Sequence, residues 1–304
     1  MTLWFGVDLG GTNIKSALVR VSADDVEVLK KDSAPTVAEE GPERVVDRLA
    51  QITRRAVESD PAIAGIGVTV PGLFDPETGC TTFIPNLPGS WLDVPVTEPV
   101  RRATSRPSFI INDARSFGLA EFGVGAARGA RSMAGLTLGT GVGGVIITEH
   151  GLHLGASGAA GEIGHQTVDP EGPVCGCGNN GCLEALACSS AIASRAGLDS
   201  AEEVFRGCAD GDAKCTKIVE ETGRFIGLAL ANVATVFTPE VFVIGGGVAQ
   251  SSDYLLPVVR EELRRRACLV DPAFLDVRPA ALGVFAGAVG AALWARERAD
   301  SPAA

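Results

Sequence analysis

Residues 3–21 read LWFGVDLGGTNIKSALVRV, two apolar runs joined by Gly10-Gly11-Thr12. Short apolar runs bounded by turn residues read as buried strands. The segment therefore predicts two strands joined by a tight turn, with Asp8 near the end of the first. Val26 to Lys30 is a third strand candidate. Gly41-Pro42-Glu43 opens an amphipathic helix to about Ser59, with Val45, Leu49, Ile52 and Val57 on one face. Ala62 to Val70 is a buried strand stopped by Pro71-Gly72, and 74–95, rich in Pro, Gly and Thr, reads as loop. Ser108 to Ile111 is a short strand, followed by Asn112-Asp113 and a helix to about Phe122.

The same opening then returns. Met133 to Leu138 and Val142 to Thr148 flank the glycine turn Gly139 to Gly144. Beyond a Gly- and Cys-rich loop at 155–182, helices are expected at about 183–195, 201–209 and 213–237. A strand, Val241 to Ile244, ends in Gly245-Gly246-Gly247. A helix at 252–267, a strand at 274–278 and a helix at 284–298 close the chain. The echo predicts an α/β protein of two related domains, with ligands bound in a cleft between them. A small domain is expected over 1–112, with the last helix, about 285–304, packing back on it. A large domain is expected over 113–284, carrying the loop 165–182.

At 304 residues there is room for about two domains. With 46% hydrophobic and 21% charged residues, the chain is not of disordered composition. Lys plus Arg number 26 against 37 Asp plus Glu, for a net charge of −11. That balance argues against a nucleic-acid partner but not against a local phosphate site. The longest apolar stretch, Ala281 to Trp294, is short of the ~20 residues that span a bilayer, so no membrane partner is expected. With the first strand at Leu3 a signal peptide is not expected. The reading is cytoplasmic, and the 8 cysteines are not expected to form a disulfide framework.

Asp8-Leu9-Gly10-Gly11-Thr12 is a turn whose glycines let the backbone approach a phosphate, N–H groups first. Asp8 can hold Mg²⁺ through water. Gly139-Thr140-Gly141 repeats the design, and Gly245-Gly246 lies between strand and helix, where nucleotides often sit. Neither the G-x-x-x-x-G-K-[ST] loop nor the G-x-G-x-x-G fingerprint is present. No lysine occurs between Lys31 and Lys214, so phosphate binding is expected to rest on amides, Thr hydroxyls, arginines and metal.

His165, Cys175, Cys177 and Cys182 form a Cys₃His set bounded by Gly176, Gly178 and Gly181, a standard structural zinc arrangement. Glu162 and Glu184 flank this set and suggest a polar pocket that grips hydroxyl groups. Asn112-Asp113, at a strand end where a helix begins, reads either as an N-cap or as a general base.

Together these segments resemble the ROK family (repressor, open reading frame, kinase) of sugar kinases and sugar-responsive repressors, from Phe5 to about Ala292. The most specific part is Gly161-Glu162-Ile163-Gly164-His165 with the run Cys175 to Glu184 (CGCGNNGCLE). The resemblance implies the actin-like ATPase fold, two RNase H-like domains closing around sugar and ATP. It implies Asp113 as catalytic base, and sugar contacts from Asn112, Glu162, His165 and Glu184. Gly72 and Asn86 would line the same pocket, while Gly11, Thr12, Thr140, Gly141 and Gly246 would surround ATP. A homodimer is also implied. Where many glucokinases continue Ala-Asn-Ala-Ala after Asn-Asp, this chain has Ala114-Arg115-Ser116-Phe117, which bears on the choice of sugar.

The expected activity is ATP-dependent phosphorylation of a hexose at its primary hydroxyl, most simply glucose to glucose 6-phosphate. ATP and Mg²⁺ would be used, with structural Zn²⁺. Alternatives are kinases for glucosamine, kanosamine, N-acetylglucosamine, N-acetylmannosamine or fructose. A more remote alternative is a sugar-sensing repressor-type protein without catalysis. Family repressors carry a DNA-binding helix-turn-helix before the kinase-like part, whereas the first strand here begins at Leu3.

Overall fold

The computed structural model describes the chain apart from residues 23–24, 85–86 and 301–304, and apart from the side chains of 250–252. Its contacts divide it into two compact units. The first is Met1–Val124 with Val284–Ala304, and the second is Gly125–Gly283.

In the first unit, strands β1 (Thr2–Leu9), β2 (Asn13–Val21) and β3 (Val26–Pro35) form an antiparallel meander. Helix α1 (Pro42–Ser59) leads to β4 (Ile63–Val70), which pairs parallel to β1. A small sheet of β5 (Leu73–Asp75), β6 (Cys80–Phe83) and β7 (Val94–Pro95) follows. Helix α2 (Thr97–Thr104) and strand β8 (Ser108–Asn112) come next, then α3 (Asp113–Gly123). The main sheet has the order β3-β2-β1-β4-β8.

Strand alternation sends successive side chains to opposite faces, and this positions the helices. Phe5, Val7 and Leu9 share a core with Val45, Val46 and Leu49 of α1. The other face carries Gly6 and Gly67, register partners on β1 and β4. A Cβ at either would overlap the backbone of the last helix, at Ala288 or Ala291. These two glycines let that helix lie directly on the sheet.

In the second unit, β9 (Met133–Leu138) and β10 (Val142–Thr148) form a hairpin, with the short β11 (Gly151–Leu152) at its edge. Helices α4 (Leu183–Ala187), α5 (Ser189–Ala196), α6 (Ala201–Ala209) and the long α7 (Ala213–Phe237) follow. Strand β12 (Val241–Gly245), helix α8 (Ser252–Arg266) and strand β13 (Val277–Pro279) complete the unit. The sheet order is β11-β10-β9-β12-β13, with β12 parallel to both β9 and β13. Ile226 and Leu230 of α7 pack with Leu136 and Phe242 in its core. Helix α9 (Ala286–Asp300) ends the described chain.

Both units thus have a meander of three strands followed by two parallel strands on the other side of the first. That repeated topology is the RNase H-like domain, and two of them make the actin-like ATPase fold. No helix among the described residues is long and apolar enough to cross a membrane.

Three local expectations are corrected. Residues 74–95 are not plain loop; they hold the small sheet, whose strands are too short to show a periodicity. The helix expected over 183–195 is two helices, broken at Cys188, whose backbone is extended. The break occurs because the Ser189 N–H donates to Gly139 O at 2.8 Å instead of to a helical carbonyl. Finally, α3 packs on α9 and stays with the first unit, so the division falls after Val124 and not at Asn112.

Candidate active site

In the first unit, Asp8 sits next to the end of β1, and the turn Gly10-Gly11-Thr12 projects beyond it. The turn is held by Thr36, the residue after β3: its N–H donates to Thr12 O at 2.9 Å, and its Oγ1 donates to Gly10 O at 2.6 Å. Gly11 and Thr12 are exposed. The half-buried Asp8 carboxyl is pushed up to about 7, chiefly by desolvation, while the Lys15 ammonium pulls it down and Asp113 pushes it up. Gly287 of α9 leaves room for this carboxyl, since a Cβ there would lie 2.6 Å from Asp8 Cγ.

Lys15 is the residue that the sequence reading missed. It is the register partner of Asp8 across the β1–β2 hairpin. Its Nζ lies 3.7 Å from where a Gly10 Cβ would be. A cation therefore stands at the first glycine turn, where none was expected. The signal was available: an antiparallel pair closing on Leu9 and Ile14 places Asp8 opposite Lys15.

The N-cap reading of Asn112-Asp113 holds, at Asn112. Asn112 is the N-cap of α3: its Oδ1 accepts from Ala114 N at 3.0 Å and from Arg115 N at 3.4 Å. Asp113, the first helical residue, is exposed, and its Oδ1 accepts from Ala114 N at 2.9 Å. Asn112 Nδ2 also donates to Gly72 O at 3.4 Å. Gly72 has φ 146°, and a Cβ there would overlap Phe83 O, so glycine is required by backbone geometry. One turn into α3, the buried Ser116 hydroxyl bonds Thr69 Oγ1 at 2.8 Å and donates to Gly287 O at 2.6 Å. These bonds tie α3 to β4 and α9 and fix where Asp113 stands. Asn86 lies outside the described residues.

In the second unit, the turn between β9 and β10 exposes Thr140 and closes with Gly139 N donating to Gly141 O at 2.9 Å. Gly141 faces Glu184: a Cβ there would lie 2.6 Å from Glu184 Oε2. Glu184 Oε2 accepts from Val142 N at 2.9 Å, and its Oε1 lies 3.7 Å from Cys175 Sγ. Gly245 ends β12 beside Thr137, and Gly246, at φ 92°, backs onto Leu138.

The ligand atoms of His165, Cys175, Cys177 and Cys182 lie within 4.8 Å of one another. His165 Nδ1 is 3.7 Å from Cys175 Sγ, and Cys177 Sγ is 3.7 Å from Cys182 Sγ. Bridges Thr167↔Cys182 and Val174↔Asn180 fold the loop, and Asn179 Nδ2 donates to Cys182 Sγ at 3.4 Å. Burial raises the Cys175 thiol, whereas the exposed Cys177 is lowered, first by a backbone hydrogen bond from Asn179. Three convergent thiols and an imidazole form a set that can hold a metal ion. Glu162 is exposed and precedes the single turn Ile163–His165, whose His165 N–H donates to Glu162 O at 3.1 Å.

The predicted site residues therefore form two groups. Asp8, the first turn, Gly72, Asn112 and Asp113 belong to the first unit. The second turn, Glu162, His165, Glu184, the cysteines and Gly245-Gly246 belong to the second.

The chain is similar to known proteins over nearly its whole length. It is 34% identical to a glucokinase of Thermotoga maritima, over 96% of this chain and 97% of that one. The crystal structure of a ROK hexokinase from Thermus thermophilus superposes with a TM-score of 0.88 at 37% identity, covering 98% of this chain and 99% of the other. A ROK family glucokinase from Streptomyces griseus, in complex with glucose and AMPPNP, superposes with a TM-score of 0.77 at 30% identity, over 97% and 99%. The model of the ROK family matches residues 4–298. With that match spanning both glycine turns, Asn112-Asp113 and the Cys₃His loop, the chain belongs to the ROK family.

Proposed function

We propose that the protein transfers the γ-phosphoryl group of ATP to the primary hydroxyl of a hexose, with glucose as the acceptor. The observation that carries this reading is the division of labour at the start of α3. Asn112 caps the helix, and the exposed Asp113 carboxylate stands at its first position, with Oδ1 accepting from Ala114 N. Asp113 accepts the proton of the attacking hydroxyl. A carboxylate of ordinary basicity suffices, because that proton leaves late.

Asn112, Glu162, His165 and Glu184 bind the sugar hydroxyls, with Gly72 and Asn86 beside them. Amides of Gly11, Gly141, Gly245 and Gly246 and the hydroxyls of Thr12 and Thr140 receive the nucleotide phosphates, while Gly10, whose N–H donates to Asn13 O at 3.1 Å, shapes the first turn. Lys15 adds a cation to the first turn. Asp8 is the residue that would hold Mg²⁺, which neutralises phosphate charge when bound.

Zinc fits the Cys₃His set. Four ligands about 2.3 Å from a tetrahedral ion stand roughly 3.8 Å apart, and two edges here are 3.7 Å. With Nδ1 on the metal side, His165 keeps Nε2–H as an oriented donor for a sugar oxygen.

The test is a coupled ADP-release assay across glucose, glucosamine, N-acetylglucosamine, N-acetylmannosamine, mannose and fructose. Glucose is expected to give the highest kcat/KM. Turnover of none of these sugars overturns the kinase reading. A higher kcat/KM for another sugar overturns the choice of acceptor.

A further inference from the structure

The face of the β1–β2–β3 meander that α1 covers is incompletely filled. A cavity of about 290 Å³ remains there, walled by Phe5, Ile14, Leu18, Ile52 and Ile63. Ligand pockets begin near this size. Ser16 forms part of its lining and is only 6% exposed. Its hydroxyl makes no hydrogen bond among the described residues. As part of the cavity lining, that hydroxyl can bond to an occupant. The place is distinct from the site above, because Phe5 and Ser16 point to the sheet face opposite Asp8 and Lys15.

Four charged side chains line the same cavity. Lys30 and Arg55 are exposed, and neither makes an ion pair or a side-chain hydrogen bond among the described residues. Asp32 and Asp60 each use Oδ1 to accept a backbone N–H, from Ser33 at 2.8 Å and from Ala62 at 3.1 Å. Each keeps a second oxygen for another donor. Charges on the inward face of an edge strand discourage edge-to-edge pairing, and β3 is the sheet edge. That explains Lys30 and Asp32. It does not explain Arg55 and Asp60, which come from α1 and its C-cap.

We infer that this cavity binds a zwitterion with an apolar side chain, namely a free aromatic or branched α-amino acid. The side chain fills the apolar chamber. The carboxylate meets Lys30 and Arg55, and the ammonium meets Asp32 and Asp60. A mouth of two cations and two carboxylates has no net charge, which suits a zwitterion better than an ion of either sign.

The full-length protein is titrated calorimetrically with L-phenylalanine, 3-phenylpropionate and phenethylamine. The expected result is one saturable site per chain for L-phenylalanine, with Kd below about 1 mM. Both singly charged analogues are expected to bind at least about tenfold more weakly, since each leaves one pair of charges unpartnered. Arg55→Glu and Lys30→Glu, both at exposed positions, should each weaken L-phenylalanine at least about tenfold without changing basal sugar phosphorylation. Absence of saturable binding overturns the inference. So does equal affinity for 3-phenylpropionate, or affinity that both variants leave unchanged.

Discussion

Glu184 joins two features that lie far apart in the chain: its Oε2 accepts from Val142 N at 2.9 Å, and its Oε1 lies 3.7 Å from Cys175 Sγ. One carboxylate thus touches both the glycine turn of the β9–β10 hairpin and the cysteine loop. Independent damage to the two is not expected.

Gly141 is the position where this matters. Taken as a phosphate turn alone, a Gly141→Val change would remove ATP binding and spare the sugar. The structure argues otherwise, because the first added carbon would lie 2.6 Å from Glu184 Oε2. Gly141→Val is therefore expected to raise the KM values of sugar and ATP together. An ATP-only effect, in calorimetric titrations of each ligand, would refute the coupling.

Asp113→Asn removes the proposed base and retains the shape. We expect kcat to fall by about 10²–10⁴, with sugar affinity largely kept. The melting temperature should not move, because the helix is capped by Asn112. Turnover within tenfold of the parent would place the base elsewhere.

Cys177→Ser should cost about one zinc per chain, measured by mass spectrometry. The loop would then no longer fix His165 and Glu184, and misplacing such contacts by ~1 Å costs about 10²-fold in rate. The sugar KM should rise steeply, and the ATP KM should rise with it, because Glu184 also holds Val142 N beside the glycine turn. Loss of metal with an unchanged sugar KM would separate the two functions.

Asp8 makes stability depend on pH. Its carboxyl stands at about 7 in the folded chain against an ordinary value of 3.8, so between these values the folded state holds a proton that the unfolded state has lost. Stability therefore falls as pH rises through this window, and the loss is complete above about pH 7. Asp8→Asn should remove that slope and raise stability at pH 8 by on the order of 1–3 kcal/mol, while Mg²⁺-dependent turnover collapses. Denaturant melts of the nucleotide-free variant and parent at pH 5 and pH 8 check this. A parallel pH dependence in both would contradict it.

The strand–turn–strand openings at residues 3–21 and 133–148, the main helices and the Cys₃His spacing were all legible in the linear chain. Each rests on interactions between residues close in sequence: alternation, caps, turn glycines and a ligand set within one loop. What only the tertiary structure decided depends on groups brought together from afar. The strands of the small sheet are too short to carry a periodic signal, and the break at Cys188 follows from a bond between Ser189 and Gly139. The place of Lys15, by contrast, is local, set by the register of one hairpin. The raised Asp8 carboxyl needs the packed α9 to desolvate it. Local pattern encodes elements and motifs because their energies are local, whereas desolvation, close glycine contacts and shared carboxylates exist only once distant segments have packed.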